Sequence, residues 1–247
     1  MSQGTAGYRL LKKLGRDLLR KHGRDLIPFD PRYHYPLRRR MLFEAYNINL
    51  VLDVGGSDGG YAGNLRSLGY QGRIVSFEPL AYNFAKLQTR SQADGAWEAM
   101  NCALGNEERT AEINVAGNYD SSSLLPMLAL HAEYAPESQY VGKEQIKVTT
   151  LDKVFASLCS PGQGILLKID TQGSEQSVIE GAARSLAWIS TIQVEMSLVP
   201  LYEGELLIHE MCQLLYGKGY CLVSIEPGFT DRQTGRLFQV DGIFHRF

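Results

Sequence analysis

The chain has 247 residues, of which 44% are apolar, with 25 Lys and Arg against 27 Asp and Glu and only four cysteines. That composition can bury one substantial core with a short appendage. It speaks against a disulfide framework or a zinc site, because Cys102, Cys159, Cys212 and Cys221 form no C-x-x-C pair and sit in apolar segments. No run of about 18 apolar residues occurs and no signal-peptide pattern opens the chain, so a soluble, cytoplasmic protein is expected.

Charge is uneven. Residues 1–40 hold 11 Lys or Arg against 3 acids, and the rest hold 14 against 24. Over residues 8–26, Leu10, Leu11, Leu14, Leu18 and Leu19 fall on one side, with Lys12, Lys13, Arg16, Arg20 and Lys21 mostly on the other, which predicts an amphipathic basic helix. Ile27-Pro28-Phe29-Asp30-Pro31 stops it, and a short helix is expected over 37–46. Residues 1–46 thus read as a basic helical extension that could face nucleic acid, anionic lipid or, the favoured reading, the acidic body of its own or a partner chain, and peripheral membrane contact or a homodimer is expected of it. Nucleic acid is not an expected partner, because the body is acidic.

From residue 47 the pattern becomes alternating: strands over 50–54, 73–77, 97–102, 164–169, 191–196, 221–226 and 237–246, with helices over 61–68, 81–92, 175–182 and 208–218. Apolar strands separated by helices imply a parallel sheet covered on both faces, a doubly wound α/β fold. The last two strands have too short a link for a crossover helix, so they are expected to pair antiparallel. Residues 103–163 interrupt the alternation with extended stretches at 110–115 and 146–150 and a helix near 125–135. This insertion either carries substrate contacts or covers the sheet edge.

The chemistry gathers at strand ends. The first strand ends in Asp53, followed by four glycines in six positions, Gly55, Gly56, Gly59 and Gly60, around Ser57 and Asp58. Such a loop lets backbone approach a ligand. Ser57 breaks the G-x-G-x-x-G frame, and an acid at Asp53 suits a ligand with a cationic amino acid part better than a pyrophosphate. Glu78 closes the second strand, where a carboxylate can accept both hydroxyls of a ribose. Asn101, Cys102 and Ala103 follow the third strand, a polar side chain with small neighbours that could border an adenine. Asp170 and Glu195 end the fourth and fifth strands, where they could serve as general base or hold a divalent cation. Without a histidine partner no metal site is assigned, and metal dependence stays open.

Together, Val51-Leu52-Asp53-Val54-Gly55-Gly56, Ser76-Phe77-Glu78-Pro79, Asn101-Cys102-Ala103-Leu104-Gly105, Thr149-Thr150-Leu151-Asp152 and Leu167-Lys168-Ile169-Asp170-Thr171-Gln172-Gly173-Ser174-Glu175 resemble the FkbM-type methyltransferases over about residues 47–200. The resemblance implies a class I methyltransferase (Rossmann-like) sheet of seven strands, mostly parallel with a C-terminal antiparallel hairpin. It implies S-adenosylmethionine as cofactor and O-methylation of a hydroxyl on a sugar, glycolipid or related natural product. It places Asp53, Gly55, Gly56, Ser57 and Gly59 at the methionine portion, Glu78 at the ribose, Asn101 to Leu104 at the adenine, and Asp170 beside the reacting centre. Gly56 and Asp58 stand where such loops often carry alanine and asparagine. Candidate bases are Asp170, Glu195 and His131, in that order, while His209 and His245 read as structural.

Two other readings compete. A nicotinamide-dependent oxidoreductase would use Tyr82 and Lys86, which have Tyr-x-x-x-Lys spacing but lie too close to the glycine loop. A non-catalytic donor-binding module attached through the basic N-terminus would show the same pocket residues.

Overall fold

The computed structural model describes residues 3–25 and 27–247, with side chains from Lys12 onward. It divides into two compact units, one reaching to Phe43 and one spanning Glu44–Phe247. Among the described residues, no helix is long and apolar enough to cross a membrane.

In the first unit, α1 covers Gln3–Lys21 and α2 begins at Tyr35, running to Ala45. The predicted end of the first helix, Leu26, lies outside the described residues, and so do the side chains of Leu10 and Leu11. The helix stops earlier than the sequence pattern suggests because Gly23 adopts φ 69°. The N–H groups of Gly23 and Arg24 turn back onto the carbonyls of Arg20 and Leu19, a left-handed C-terminal cap. Arg16 and Arg20 fold onto Asp25 at 2.6 and 2.9 Å.

The second unit is built on β1 (Ile48–Val54), α3 (Gly60–Ser67), β2 (Arg73–Phe77), α4 (Ala81–Gln92), β3 (Trp97–Met100), β4 (Ala103–Leu104), β5 (Arg109–Ala116), α5 (Ala129–Tyr134), β6 (Tyr140–Thr149), α6 (Leu151–Leu158), β7 (Gly164–Ile169), α7 (Glu175–Glu180), β8 (Thr191–Ser197), α8 (Ile208–Gly217), β9 (Cys221–Pro227) and β10 (Gln239–His245). Seven strands form the main sheet in the order β3-β2-β1-β7-β8-β10-β9. All neighbours are parallel except β10, which lies antiparallel between β8 and β9. Strand order reverses between β1 and β7, the position where open α/β sheets bind ligands beyond the strand ends. The central strands are covered on both faces, so Leu50, Val51, Leu52 and Val54 are all fully buried.

The insertion folds into a second sheet, β4-β6-β5. The predicted strand over 97–102 is therefore split. The Cys102 N–H donates to the Met100 carbonyl, and the turn passes the chain into the second sheet at Ala103. The helix predicted near 125–135 shortens to α5, because the segment before it is held extended: Leu128 N–H donates to Leu201 O, and Met127 bridges Tyr202. The helix α6 falls where the sequence pattern predicts none. Its signal was present in Thr150, whose side chain caps the Lys153 N–H, while Asp152 braces the backbone N–H groups of Arg184 and Ser185.

Candidate active site

The glycine loop is shaped by close backbone approaches. Gly55 adopts φ 77°, and a Cβ there would lie 1.8 Å from the Asp170 carbonyl oxygen. The N–H groups of Gly55 and Gly56 both donate to Phe77 O, at 3.1 and 2.9 Å, which bends the loop over the end of β2. Gly59, φ 90°, packs on the Trp97 ring, where a Cβ would sit 2.7 Å from a ring carbon. Between them Ser57 takes φ 45°, a costly conformation for a side-chain-bearing residue. Three contacts hold it there: its N–H donates to Glu78 Oε2 (2.9 Å), its hydroxyl to Asp120 Oδ1 (2.6 Å), and Asn83 Nδ2 donates to its oxygen (3.1 Å).

Glu78 is 5% exposed, and its other oxygen, Oε1, accepts the Leu80 N–H at 2.8 Å. Burial pushes its carboxyl up to about 7, against these two hydrogen bonds, which favour the charged form. Asn101 is used differently: its Nδ2 donates to the backbone carbonyls of Glu78 and Pro79 and so braces the corner after β2. Cys102 packs against the main core, where burial raises its thiol to about 11.

Across the switch point, Gln172 joins two carboxylates. Its Nε2 donates to Asp170 Oδ1 and to Glu195 Oε2, both at 2.7 Å. Its φ of 55° is again unusual for a residue other than glycine. The conformation is pinned from both sides: the Ser123 hydroxyl donates to its carbonyl at 2.6 Å, and the buried Tyr202 hydroxyl lies 2.8 Å from its Oε1. Glu195 also accepts from Gln239 Nε2 at 2.8 Å. Burial and the neighbouring Asp170 raise its carboxyl well above the ordinary range. Glu175 closes the turn from behind, one oxygen accepting from the Thr171 N–H, the Thr171 hydroxyl and the Gly173 N–H.

A buried charge system underlies the loop. Asp53 is fully buried; Oδ2 accepts from the Ser76 hydroxyl (2.8 Å), and Oδ1 lies 3.3 Å from Lys168 Nζ. Trp97 Nε1 donates to Ser76 Oγ at 3.0 Å. Lys168, 4% exposed, also reaches Asp170 Oδ2 (3.4 Å) and the Gly55 carbonyl (3.2 Å). Burial opposes its charge, but Asp170 and Asp53 outweigh it and hold the ammonium above its ordinary range.

These elements enclose a cavity of about 320 Å³. Of the residues singled out in the sequence, Gly55, Ser57, Glu78, Ala103, Asp170 and Glu195 line it. Asp53, Gly56, Gly59, Asn101 and Cys102 do not line it. His131 does not reach it: the ring is 3% exposed, 5.1 Å from that of Tyr202 and 5.5 Å from that of Phe229. The insertion supplies a whole wall, including Leu104, Ile113, Tyr119, Asp120, Leu124 and Ile146. Sequence reasoning does not single out Asn83, Tyr119, Asp120 and Gln172 as site residues; Gln172 lies in the stretch Asp170–Glu175, Tyr119 and Asp120 lie in the polar run Asn118–Ser123 of the insertion, and nothing local marks Asn83.

Four carboxyl groups, Glu78, Asp120, Asp170 and Glu195, face this cavity, and no Lys, Arg or His is among the described residues that line it. A ligand carrying ammonium and sulfonium charges fits that lining, and a pyrophosphate does not. Tyr82 and Lys86 lie outside: Tyr82 stacks on Tyr119 at 4.4 Å, and Lys86 Nζ sits 4.0 Å from the Tyr82 ring centre. Among the described residues, no group of three or more His, Cys, Asp or Glu could hold a metal ion.

No curated protein sequence matches the chain. Among solved structures, a magnesium protoporphyrin IX methyltransferase from Synechocystis PCC 6803 with bound SAM is 9% identical, with 96% of this chain and 97% of that one covered and a TM-score of 0.45. The fibrillarin of Aeropyrum pernix, in complex with S-adenosyl-L-methionine, is 10% identical over 79% and 66% of the two chains, TM-score 0.45. An uncharacterized protein from Listeria monocytogenes serotype 4b is 7% identical over 81% and 62%, TM-score 0.43. The chain thus spans less than two thirds of the last two, and likenesses this remote carry no argument. The match that does is to the Methyltransferase FkbM domain over residues 53–222, more than half of the chain. It takes in the glycine loop, Glu78, Asp170, Glu195 and the insertion, and with the seven-stranded, mostly parallel sheet it assigns the class I methyltransferase fold and S-adenosylmethionine as donor: the chain belongs to the FkbM methyltransferase family.

Proposed function

We propose that this methyltransferase O-methylates a hydroxyl of an uncharged sugar, glycolipid or related natural product in the cytoplasm. The observation that carries the reading is the cavity lined by four carboxyl groups and no basic side chain among the described residues. It suits a cationic donor and a neutral acceptor, and repels phosphorylated or carboxylated ones. The four cysteines are unpaired, in keeping with a reducing compartment.

The loop from Gly55 to Ser57 and Asp170 would hold the methionine portion of the donor. Glu78 would take the ribose hydroxyls, since each of its oxygens has only one hydrogen bond and retains acceptor capacity. Ala103 and Leu104 would flank the base. The donor supplies an electrophilic methyl group on a sulfonium.

Asp170 removes the acceptor's proton. It lines the cavity, keeps a third of its side chain exposed, and lies 3.4 Å from Lys168 Nζ. Glu195, whose carboxyl burial and the neighbouring Asp170 raise well above the ordinary range, lines the same cavity and would hydrogen-bond the acceptor oxygen. Gln172 fixes the two carboxyl groups relative to each other, so the acceptor oxygen meets a preset geometry. Tyr119 and Asp120, clasped to the loop through Ser57, limit access of water.

Calorimetric titration with S-adenosylhomocysteine and with NAD, followed by methyl transfer to matched neutral and phosphorylated sugars, tests this. Binding of the former alone and transfer only to neutral acceptors support it. Preference for NAD, or for the phosphorylated acceptors, overturns it. Donor binding with no transfer to any hydroxyl acceptor would favour the non-catalytic module.

A further inference from the structure

The first unit concentrates two properties. Residues 1–40 carry 11 Lys or Arg against 3 acids. Residues 14–41 expose Leu14 (58%), Leu18 (61%), Ile27, Phe29 (77%), Tyr33, Tyr35 and Met41, seven of the fifteen exposed large apolar side chains described. Leu14 and Leu18 are four residues apart on α1 and share one face. Lys12, Lys13 and Arg20, all exposed, project from the rest of its circumference. Asp25 and Asp30 are taken up by Arg16, Arg20 and Arg32, which leaves the surface strongly positive.

We infer that this unit is an anionic-membrane docking surface, with α1 lying in the interfacial plane. A cationic face and an exposed apolar face on one helix match a negatively charged lipid surface in both respects: phospholipid headgroups attract the lysines and arginines, and the acyl boundary receives Leu14 and Leu18. A nucleic acid would satisfy the charge and leave the apolar side chains in water. A second copy of the same surface would bring like charge against like. At 19 residues the helix is about 28 Å long, and its charge keeps it in the interface. The inference does not depend on the acceptor.

The test is co-sedimentation of the full chain with vesicles of phosphatidylcholine alone and of phosphatidylcholine mixed with phosphatidylglycerol. Binding is expected only to the mixed vesicles, weakened by raised salt, and lowered about tenfold or more in the double variant Leu14→Glu, Leu18→Glu. S-adenosylhomocysteine titration of that variant should match wild type, which shows that the second unit remains folded. Equal binding to both vesicle types, or wild-type vesicle binding by the double variant, overturns the inference. So does preference for a duplex oligonucleotide over anionic vesicles, or a dimer that the double variant dissolves while no vesicle binding is seen.

Discussion

Lys168 and Asp53 form an ion pair beneath the glycine loop, Nζ to Oδ1 at 3.3 Å, with both side chains almost completely shielded from solvent. The lysine also touches Asp170 and the Gly55 carbonyl, so one cation links the base of the glycine loop to the acid that follows β7. Removing it leaves buried carboxylates uncompensated. Lys168→Met is expected to cost about 3–5 kcal/mol, and Asp53→Asn in the same chain should recover part of that loss. Chemical denaturation of the two single variants and the double variant measures the coupling; strict additivity would refute it.

Glu78 should make donor binding depend on pH. Its carboxyl sits at about 7, and only the ionised form offers two full acceptors to the ribose hydroxyls and attracts a cationic ligand. Below that pH, binding must first displace a proton, so affinity should fall as pH drops through 7, approaching tenfold per unit. Glu78→Gln should remove this slope and weaken binding at pH 8 by about 1.5–3 kcal/mol. Titrations of both proteins between pH 6 and 8.5 decide it; parallel slopes would place the titrating group elsewhere.

Asp170 and Glu195 are both hydrogen-bonded by Gln172, yet they are expected to answer differently to amide replacement. Asp170→Asn should lower kcat about 10²–10⁴-fold, as expected for loss of a general base. Glu195→Gln keeps a group of the same shape that can still hydrogen-bond an acceptor oxygen, and should cost less than about tenfold. The reverse order in steady-state kinetics would move the base to Glu195.

His131 should prove dispensable for chemistry. Its ring packs on Tyr202 and Phe229, away from the cavity, and burial lowers its pKa from 6.5. The unfolded chain therefore takes up a proton below about pH 6.5 that the folded chain refuses, and wild-type stability declines there. His131→Leu should keep kcat within about threefold, lose roughly 1–3 kcal/mol at pH 8, and lack that acid-side component of the decline. A large drop in kcat in a folded variant would restore His131 as a catalytic group.

Gly55→Ala tests the backbone approach. The substitution demands φ 77° of alanine and sets its Cβ 1.8 Å from the Asp170 carbonyl. A loss of roughly 3 kcal/mol or more is expected, together with donor binding, measured by thermal melting and calorimetry. Wild-type behaviour would mean the loop and β7 are not in contact.

Most of the frame was legible in the chain itself. Apolar strands separated by helices imposed a parallel sheet, the short link before β10 imposed an antiparallel closing pair, and Glu78 and Asp170 could be placed at strand ends because chain direction alone decides which residue comes last. What the sequence could not decide was which side chains meet. Alternation along β1 turns Asp53 onto the face shared with Ser76 and Lys168, so the acid that looked like a ligand contact became the buried counterion of a lysine 115 positions away. Ser57 finds Asp120 across 63 residues, and Glu195 on β8 finds Gln172 beyond β7 and Gln239 on β10 only because those two strands flank β8 in the sheet. The insertion became a wall of the cavity by forming its own sheet, a choice made by pairing between β5 and β6 and invisible to either strand alone. Local sequence sets backbone preference and facing within an element, whereas a site is assembled by contacts between elements, and their energies exist only once the chain has packed.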